Sequence, residues 1–355
     1  MPTPRLTSLS PWQRSALTLV LAMVGAVAFI LIGLPLPFLF GPMFACLLAA
    51  LLGMPLRGTG QIGVGARTIL GIAVGAALTP ALIATLPSMI GSIALIPVYI
   101  ALIGLIGVPF FRKVCGYDAA TAWYSAMPGG LQDMIIFGAE AGANPRTLSL
   151  IHATRVLIIV TLAPILITQV FGASMSHPVG EPARDLPVGE MLIMAAAGLI
   201  GWKGGEKIGL FGASILGPLI VTGALSLAGF IHHRPPAEAI YVAQFFIGSA
   251  IGVGYTGVTL HEIKRDVAAG VGFVLILALL AAIMSEIVYA LGLAPSVEAF
   301  LAFAPGGQAE MTVLAIVAGA DLGYVVVHHI LRILLVITGA PIAARLMRIR
   351  QKDAP

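Results

Sequence analysis

Apolar runs of about 15–25 residues follow one another along nearly the whole chain, separated by short polar gaps. In the first half they cover roughly 15–34, 37–55, 62–86, 89–111, 119–142 and 147–170. In the second half they cover roughly 188–202, 211–231, 238–258, 267–291, 295–319 and 322–345. A helix needs about 20 apolar residues to span a bilayer, so the pattern predicts an all-α polytopic membrane protein. The fifth run of each half differs from the rest, because Pro128-Gly129-Gly130 and Pro305-Gly306-Gly307 sit at its centre. Proline removes a backbone donor and glycine loosens the chain, so a continuous helix is not expected there. Two short halves remain, forming either a broken spanning helix or a re-entrant hairpin. Such backbone survives at membrane depth only inside protein or beside a water-filled cavity.

The two halves match each other at an offset of 177 residues. Besides the Pro-Gly-Gly pair, Met134 matches Met311, Gly142 matches Gly319, His152 matches His329, Arg155 matches Arg332 and Pro164 matches Pro341. Asp133 against Glu310, and Asn144 against Asp321, keep related chemistry. Upstream, Ala66, Gly71 and Gly75 match Ala243, Gly248 and Gly252, while Gly41-Pro42 matches Gly217-Pro218 at an offset of 176. Chance similarity between apolar runs does not keep Pro-Gly-Gly, His and Arg in register. The expectation is an internal duplication: a cytoplasmic N-terminus over 1–14, repeat one over 15–172, a connecting loop over 173–187, repeat two over 188–347, and a basic cytoplasmic C-terminus over 348–355.

Lysine and arginine placement discriminates between the two treatments of the fifth run. If it spans, the repeats are parallel with six helices each. Positive charges then divide 11 to 5, with Arg146, Lys203, Lys207, Lys264 and Arg265 outside and three arginines inside spans. If it is re-entrant, the repeats are inverted with five spans each. Arg5, Arg14, Arg57, Arg112, Lys113, Arg146, Lys203, Lys207, Lys264, Arg265, Arg345, Arg348, Arg350 and Lys352 then share the cytoplasmic side, and only Arg184 and Arg234 lie outside. The positive-inside rule favours the inverted 5+5 arrangement with both termini cytoplasmic.

Composition agrees with a membrane protein. The hydrophobic fraction is 59% and the charged fraction 10%, against about 45–50% and about 25% in soluble domains. Mean hydropathy is +1.04. The net charge of +4 reads as flanking topology signal, and no basic stripe or recognition helix outside the apolar runs suggests nucleic acid. Two cysteines, Cys46 in an apolar run and Cys115 in a basic loop, give no disulfide framework. The first run is long for a signal peptide and leads directly into further apolar runs, so it is expected to be an uncleaved helix.

Ionisable groups inside apolar runs are costly and point to function by default. The set comprises Asp133, Glu140, His152 and Arg155 in the first half and Glu310, His328, His329 and Arg332 in the second, with Arg67 and Glu286 as extras without a counterpart. His152 and Arg155 are three apart and share a helix face, as do His329 and Arg332. Asp133 and Glu310 follow the second glycine of their motif by three residues, in the first turn of any helix starting there. One reading brings the two breaks together, so that their free N–H groups and the two arginines bind an anion while the acids take a proton or cation. The substrate and ion set is then Pro128, Gly129, Gly130, Asp133, His152, Arg155, Pro305, Gly306, Gly307, Glu310, His329 and Arg332. The other reading is structural. The acids cap their helices or pair with Arg155 and Arg332, the histidines bond between helices, Asn144 and Asp321 are N-caps, and the Gly-Pro pairs are close-packing and helix-start devices.

No spacing of His, Cys and acids suggests a metal site, and His328 and His329 are adjacent in a helix and point about 100° apart. No phosphate-binding Gly-x-x-x-x-Gly-Lys-Ser/Thr loop is present. No cofactor, metal or catalytic residue is expected, and the chain is not read as an enzyme.

The Gly-Pro element, the Pro-Gly-Gly-x-x-acid-Met stretch and the His-x-x-Arg lying nine residues before proline together resemble the bacterial AbrB duplication membrane-protein family. The resemblance covers roughly residues 15–347, with the motif in both halves. Members have inherited labels such as ammonia monooxygenase and transcriptional regulator. The resemblance implies a bacterial inner-membrane protein and a transporter, and supplies no substrate. The expected function is ion-coupled secondary transport, import or export, of a small anionic or zwitterionic solute by alternating access. The expected partners are lipid, the solute and a coupling proton or sodium ion, without nucleic acid and with a homo-oligomer open. The rival expectations are a membrane regulator acting through a partner protein and a membrane monooxygenase.

Overall fold

The computed structural model describes residues 9–210 and 212–349. Arg5, Arg350 and Lys352 of the charge count, and most of the expected terminal segments, lie outside the described residues. Among the described residues there are helices and no strands. They run α1 Pro11–Ile32, α2 Pro37–Leu51, α3 Gln61–Ala76, α4 Pro80–Val114, α5 Ala119–Ala126, α6 Leu131–Glu140 and α7 Pro145–Gln169. The second half continues with α8 Val188–Lys207, α9 Ala213–Leu227, α10 Ala237–Val253, α11 Leu260–Ala290, α12 Ser296–Phe303, α13 Gln308–Ala318 and α14 Leu322–Leu346. Of these, α1, α4, α7, α11 and α14 are long and apolar enough to cross a membrane. The exposed faces carry large apolar side chains, such as Val20, Met23, Val27 and Leu31 on α1 and Leu275, Leu279 and Ile283 on α11. Water would not tolerate such faces, and lipid would.

Several boundaries differ from the hydropathy pattern. The apolar run at 62–86 is two pieces, since α3 stops at Ala76 and the long α4 begins at Pro80. Pro80 suits a first helical position, and the Thr79 hydroxyl accepts the Leu82 N–H at 3.2 Å. In the second half α11 begins at Leu260, seven residues before the run at 267–291, because Thr259 and Glu262 form a capping box. Pro42 and Pro218 lie inside α2 and α10's neighbour α9 respectively and start neither helix. Pro37 opens α2 and Gly212 precedes α9, so the helix-start role falls away. The close-packing role stands: a Cβ on Gly41 would strike Gly25 on α1, and one on Gly217 would strike Gly201 on α8.

The chain divides into two compact units, each drawing on both halves of the sequence. One takes Met1–Pro87, Ser174–Val258 and Thr312–Gly323. Within it α2 packs on α10 and α3 on α9, while α1 and α8 flank α2 and α9. The contacts are reciprocal. Gly71 and Gly75 of α3 face the carbonyls of Ile215 and Leu219, and Gly248 and Gly252 of α10 face those of Leu39 and Met43. Small residues four apart let helix backbones meet where lipid gives no hydrophobic drive for association. Added methyl groups there would meet backbone, which cannot turn aside.

The other unit takes Ser88–Ala173, Thr259–Met311 and Tyr324–Pro355. In it α7 packs on α11, α4 on α5 and α11, and α11 on α12. The expected breaks are present. Met127 leaves the helical region at ψ 129° and Gly130 is extended, separating α5 from α6; Ala304, at ψ 131°, does the same between α12 and α13. In the first hairpin the Asn144 N–H donates to the Thr121 hydroxyl at 3.0 Å. The chain therefore leaves the hairpin beside the place where it entered.

Candidate functional site

Breaking a helix frees carbonyl oxygens that would otherwise accept from residues one turn on, and in a buried place they need other donors. The arginines supply them. Arg155 Nη2 donates to Gly129 O at 2.7 Å and Nη1 to Met127 O at 3.4 Å. Arg332 Nη2 donates to Gly306 O at 3.0 Å and Nη1 to Ala304 O at 2.8 Å. Each guanidinium is only 3% exposed. The histidines hold the preceding helix in the same paired way: His152 Nε2 lies 3.0 Å from Tyr124 O, and His329 Nε2 lies 2.8 Å from Leu301 O. Since a carbonyl only accepts, Nε2 carries the proton in both.

The two arginines are electrostatically coupled to each other, and Tyr99 of α4 lies within reach of both. Tyr99 is fully buried and stands edge-on to Phe303, with ring centroids 5.5 Å apart. Its hydroxyl, Arg155 Nε and Arg332 Nε are all buried without a hydrogen-bond partner. Buried polar groups are nearly always paired, so three unpaired groups around one centre are unusual. The two guanidinium N–H groups can only donate, and the phenol can donate as well. What they lack is an acceptor.

A family model described as Transition state regulatory protein AbrB matches residues 38–348, spanning both hairpins. The chain belongs to the AbrB family. Two relatives are similar to it over most of its length. One, named "Uncharacterized protein YhjN" in Bacillus subtilis (strain 168), is 29% identical over 304 residues, covering 79% of this chain and 77% of the relative. The other, named "Putative regulator AbrB" in Escherichia coli (strain K12), is 23% identical over 337 residues, covering 92% of this chain and 94% of the relative.

Within this AbrB-family chain the acids behave differently from the arginines. Asp133 stands in the first turn of α6. The Glu310 carboxylate folds back over Gly307 at the start of α13, where a Cβ would collide with it. The structural reading had left Asp133–Arg155 and Glu310–Arg332 open as ion pairs; Arg155 donates to carbonyls, and Glu310 of the other hairpin lies within its electrostatic reach. Asn144 caps α7 as expected, accepting from Arg146 N at 3.0 Å and Thr147 N at 3.1 Å. Asp321 immediately precedes α14. Pro128 and Pro305 stand in the breaks, and Gly129 and Gly306 each leave room for a methionine, Met134 and Met311.

Sequence reasoning passed over three buried groups. Tyr99 was one hydroxyl in a long apolar run whose counterpart 177 residues on is Ile276. Ser92 bonds His328 at 2.9 Å. Asp266, 4% exposed, accepts from Tyr117 Oη at 2.7 Å and Thr147 Oγ1 at 3.2 Å, tying the start of α11 to α7. Among the described residues, no three of His, Cys, Asp and Glu lie close enough to hold a metal ion.

Proposed function

We propose that this AbrB-family protein is a bacterial inner-membrane secondary transporter for a small anionic or zwitterionic solute, coupled to protons or sodium and working by alternating access. The observation that carries the reading is the trio of buried groups without partners, Tyr99 Oη, Arg155 Nε and Arg332 Nε, set beside two helix breaks. Two positive charges held together and still short of acceptors suit an anionic group such as a carboxylate. Helix starts α6 and α13 add outward N–H groups and the positive ends of their dipoles. Paired discontinuous helices in corresponding places are a recurrent transporter design.

In this reading the chain is an internal duplication with inverted 5+5 topology. The closed loop between Thr121 and Asn144 supports the re-entrant form of the fifth run, and with it the 14 to 2 division of positive charge. Single cysteines at Asn144 and Asp321, in a background lacking Cys46 and Cys115, would be labelled from opposite sides of the membrane if the repeats are inverted. Labelling from one side would establish the parallel alternative. The regulatory reading rests on the names of the family and of the E. coli relative alone. We read the chain as a non-enzyme.

The direct test is purified protein in liposomes, offered a panel of small carboxylates and amino acids under an imposed proton or sodium gradient. Gradient-dependent uptake of a panel member is expected. Absence of movement across the whole panel would count against the proposal. Wild-type flux in the Asp133→Asn, Glu310→Gln double variant would take the coupling role away from the acids.

A further inference from the structure

We infer that His328 is a proton-binding site of this protein, and that the other two buried histidines, His152 and His329, are not. The inference rests on the ion-coupled reading above for its purpose, but its geometry stands alone. All three histidines are buried, at 0%, 1% and 1% exposure for His152, His328 and His329. Their surroundings differ in what they can do with a second proton.

His329 is locked. Its Nε2 gives its proton to Leu301 O, and its Nδ1 lies 2.9 Å from Arg332 Nη2. A guanidinium only donates, so Nδ1 must accept, and a proton there would set two donors against each other. His152 gives Nε2 to Tyr124 O, while its Nδ1 has no partner. A proton on that nitrogen would be a buried donor facing nothing, one turn from the Arg155 charge.

His328 is built otherwise. Its Nδ1 lies 2.8 Å from Tyr324 O, so that nitrogen always carries hydrogen. Its Nε2 lies 2.9 Å from the Ser92 hydroxyl, and the same hydroxyl lies 2.9 Å from Met89 O. A neutral imidazole takes the Ser92 proton on Nε2. When a proton adds to Nε2, the imidazole donates to Ser92 and the hydroxyl turns its own proton to Met89 O. At the imidazole and at Ser92 each donor has an acceptor in both states, with no backbone movement, and the Tyr324 hydroxyl is a further neighbour of the Ser92 hydroxyl. Proton uptake is balanced by one rotation of one hydroxyl.

The surroundings also bear the added charge. The Tyr324 ring lies with its centroid 4.1 Å from that of His328, and Phe303 of α12 lies 6.0 Å away. Aromatic faces stabilise a cation that has left water. Glu298 on α12 lies within electrostatic reach of Tyr324. On its own helix His328 has His329 beside it and Arg332 one turn on. From α4 it faces Ser92, with Tyr99 behind Phe303. Arg332 is a like charge, so an anion bound beside the arginines would favour a proton on His328. Proton and anion would then bind with positive linkage.

The test is nitrogen NMR of 15N-histidine-labelled, full-length protein in lipid bilayers as pH falls from about 8 to about 4. His328→Gln assigns its signal. Going down in pH, His328 should pass from one protonated nitrogen to two, while His152 and His329 keep one. Ser92→Ala should lower the midpoint by about one to two pH units, because the charged form then loses an acceptor. Circular dichroism establishes that each variant is folded. A His328 that holds a single proton throughout, or a midpoint unmoved in a folded Ser92→Ala variant, would overturn the inference. The titration needs no solute, so it can succeed where the transport assay fails, and the reverse.

Discussion

The two hairpins share one frame and differ in how tightly it is tied. At both, an arginine one turn after a buried histidine caps the carbonyls exposed by a Pro-Gly-Gly break. The sequence separations are identical: 28 residues to the first carbonyl and 26 to the second. In the second hairpin Arg332 also donates to His329 Nδ1, and His329 closes the ring by donating to Leu301 O. In the first, His152 Nδ1 is without a partner and Arg155 Nη1 reaches Met127 O only at 3.4 Å. The frame is what two similar sequences dictate. The difference shows that in only one of the two motifs is the histidine tied at both ring nitrogens, while in the other one ring nitrogen is left over.

Removing an arginine should give the largest effect. Arg332→Met leaves two carbonyls and an imidazole nitrogen without donors, and should cost about 3 kcal/mol or more. Arg155→Met strands two carbonyls, one of them weakly bound, and should cost about 1 kcal/mol less. Thermal unfolding in detergent gives the order. Because the two charges repel, each single variant gains back some energy that the double variant cannot gain twice. The double variant should therefore lose more than the sum of the singles. Strict additivity would mean that the two guanidinium groups do not feel each other.

The next contrast is between the histidines. His329→Leu removes an acceptor from Arg332 and a donor from Leu301 O, for about 2 kcal/mol. His152→Leu removes a single bond, for about 1 kcal/mol. Equal losses would mean that the bond between Arg332 and His329 contributes nothing, and the asymmetry between the hairpins would disappear with it.

These same residues show what a single sequence makes legible and what it conceals. Pro128-Gly129-Gly130 and Pro305-Gly306-Gly307 announced their breaks because no other residue pair disturbs a helix so plainly. His152 with Arg155, and His329 with Arg332, announced a shared face through spacing alone. The acceptors of those arginines were hidden, because a carbonyl oxygen belongs to every residue and carries no letter. An acid was the partner that spacing made visible, whereas carbonyls accept from both guanidinium groups. Pro80 was concealed differently: inside a long apolar run, a proline that starts a helix reads like one that interrupts it. Tyr99 and Ser92 had no counterpart to mark them, and a lone hydroxyl in an apolar run is ordinary. Pairing between the halves was likewise unreadable, since α2 on α10 and α3 on α9 are decided by where glycines meet carbonyls in space.

The smallest contrast lies where each hairpin hands over to the helix that carries its arginine. Asn144 caps α7 with its side chain and fixes the hairpin exit with its N–H on Thr121. Asn144→Ala should cost about 1 kcal/mol through the lost cap alone. Thr121→Val removes the other bond and leaves the Asn144 N–H without its acceptor, for a similar loss. Asn144→Asp writes into the first hairpin the residue that stands at position 321 before α14. Asparagine and aspartate cap about equally well, and the added charge sits at the favourable end of the helix dipole. Stability should therefore change by only a few tenths of a kcal/mol. A loss of a full kcal/mol would mean that the first exit needs the amide's own donors, making the two hand-overs different devices despite their matching positions.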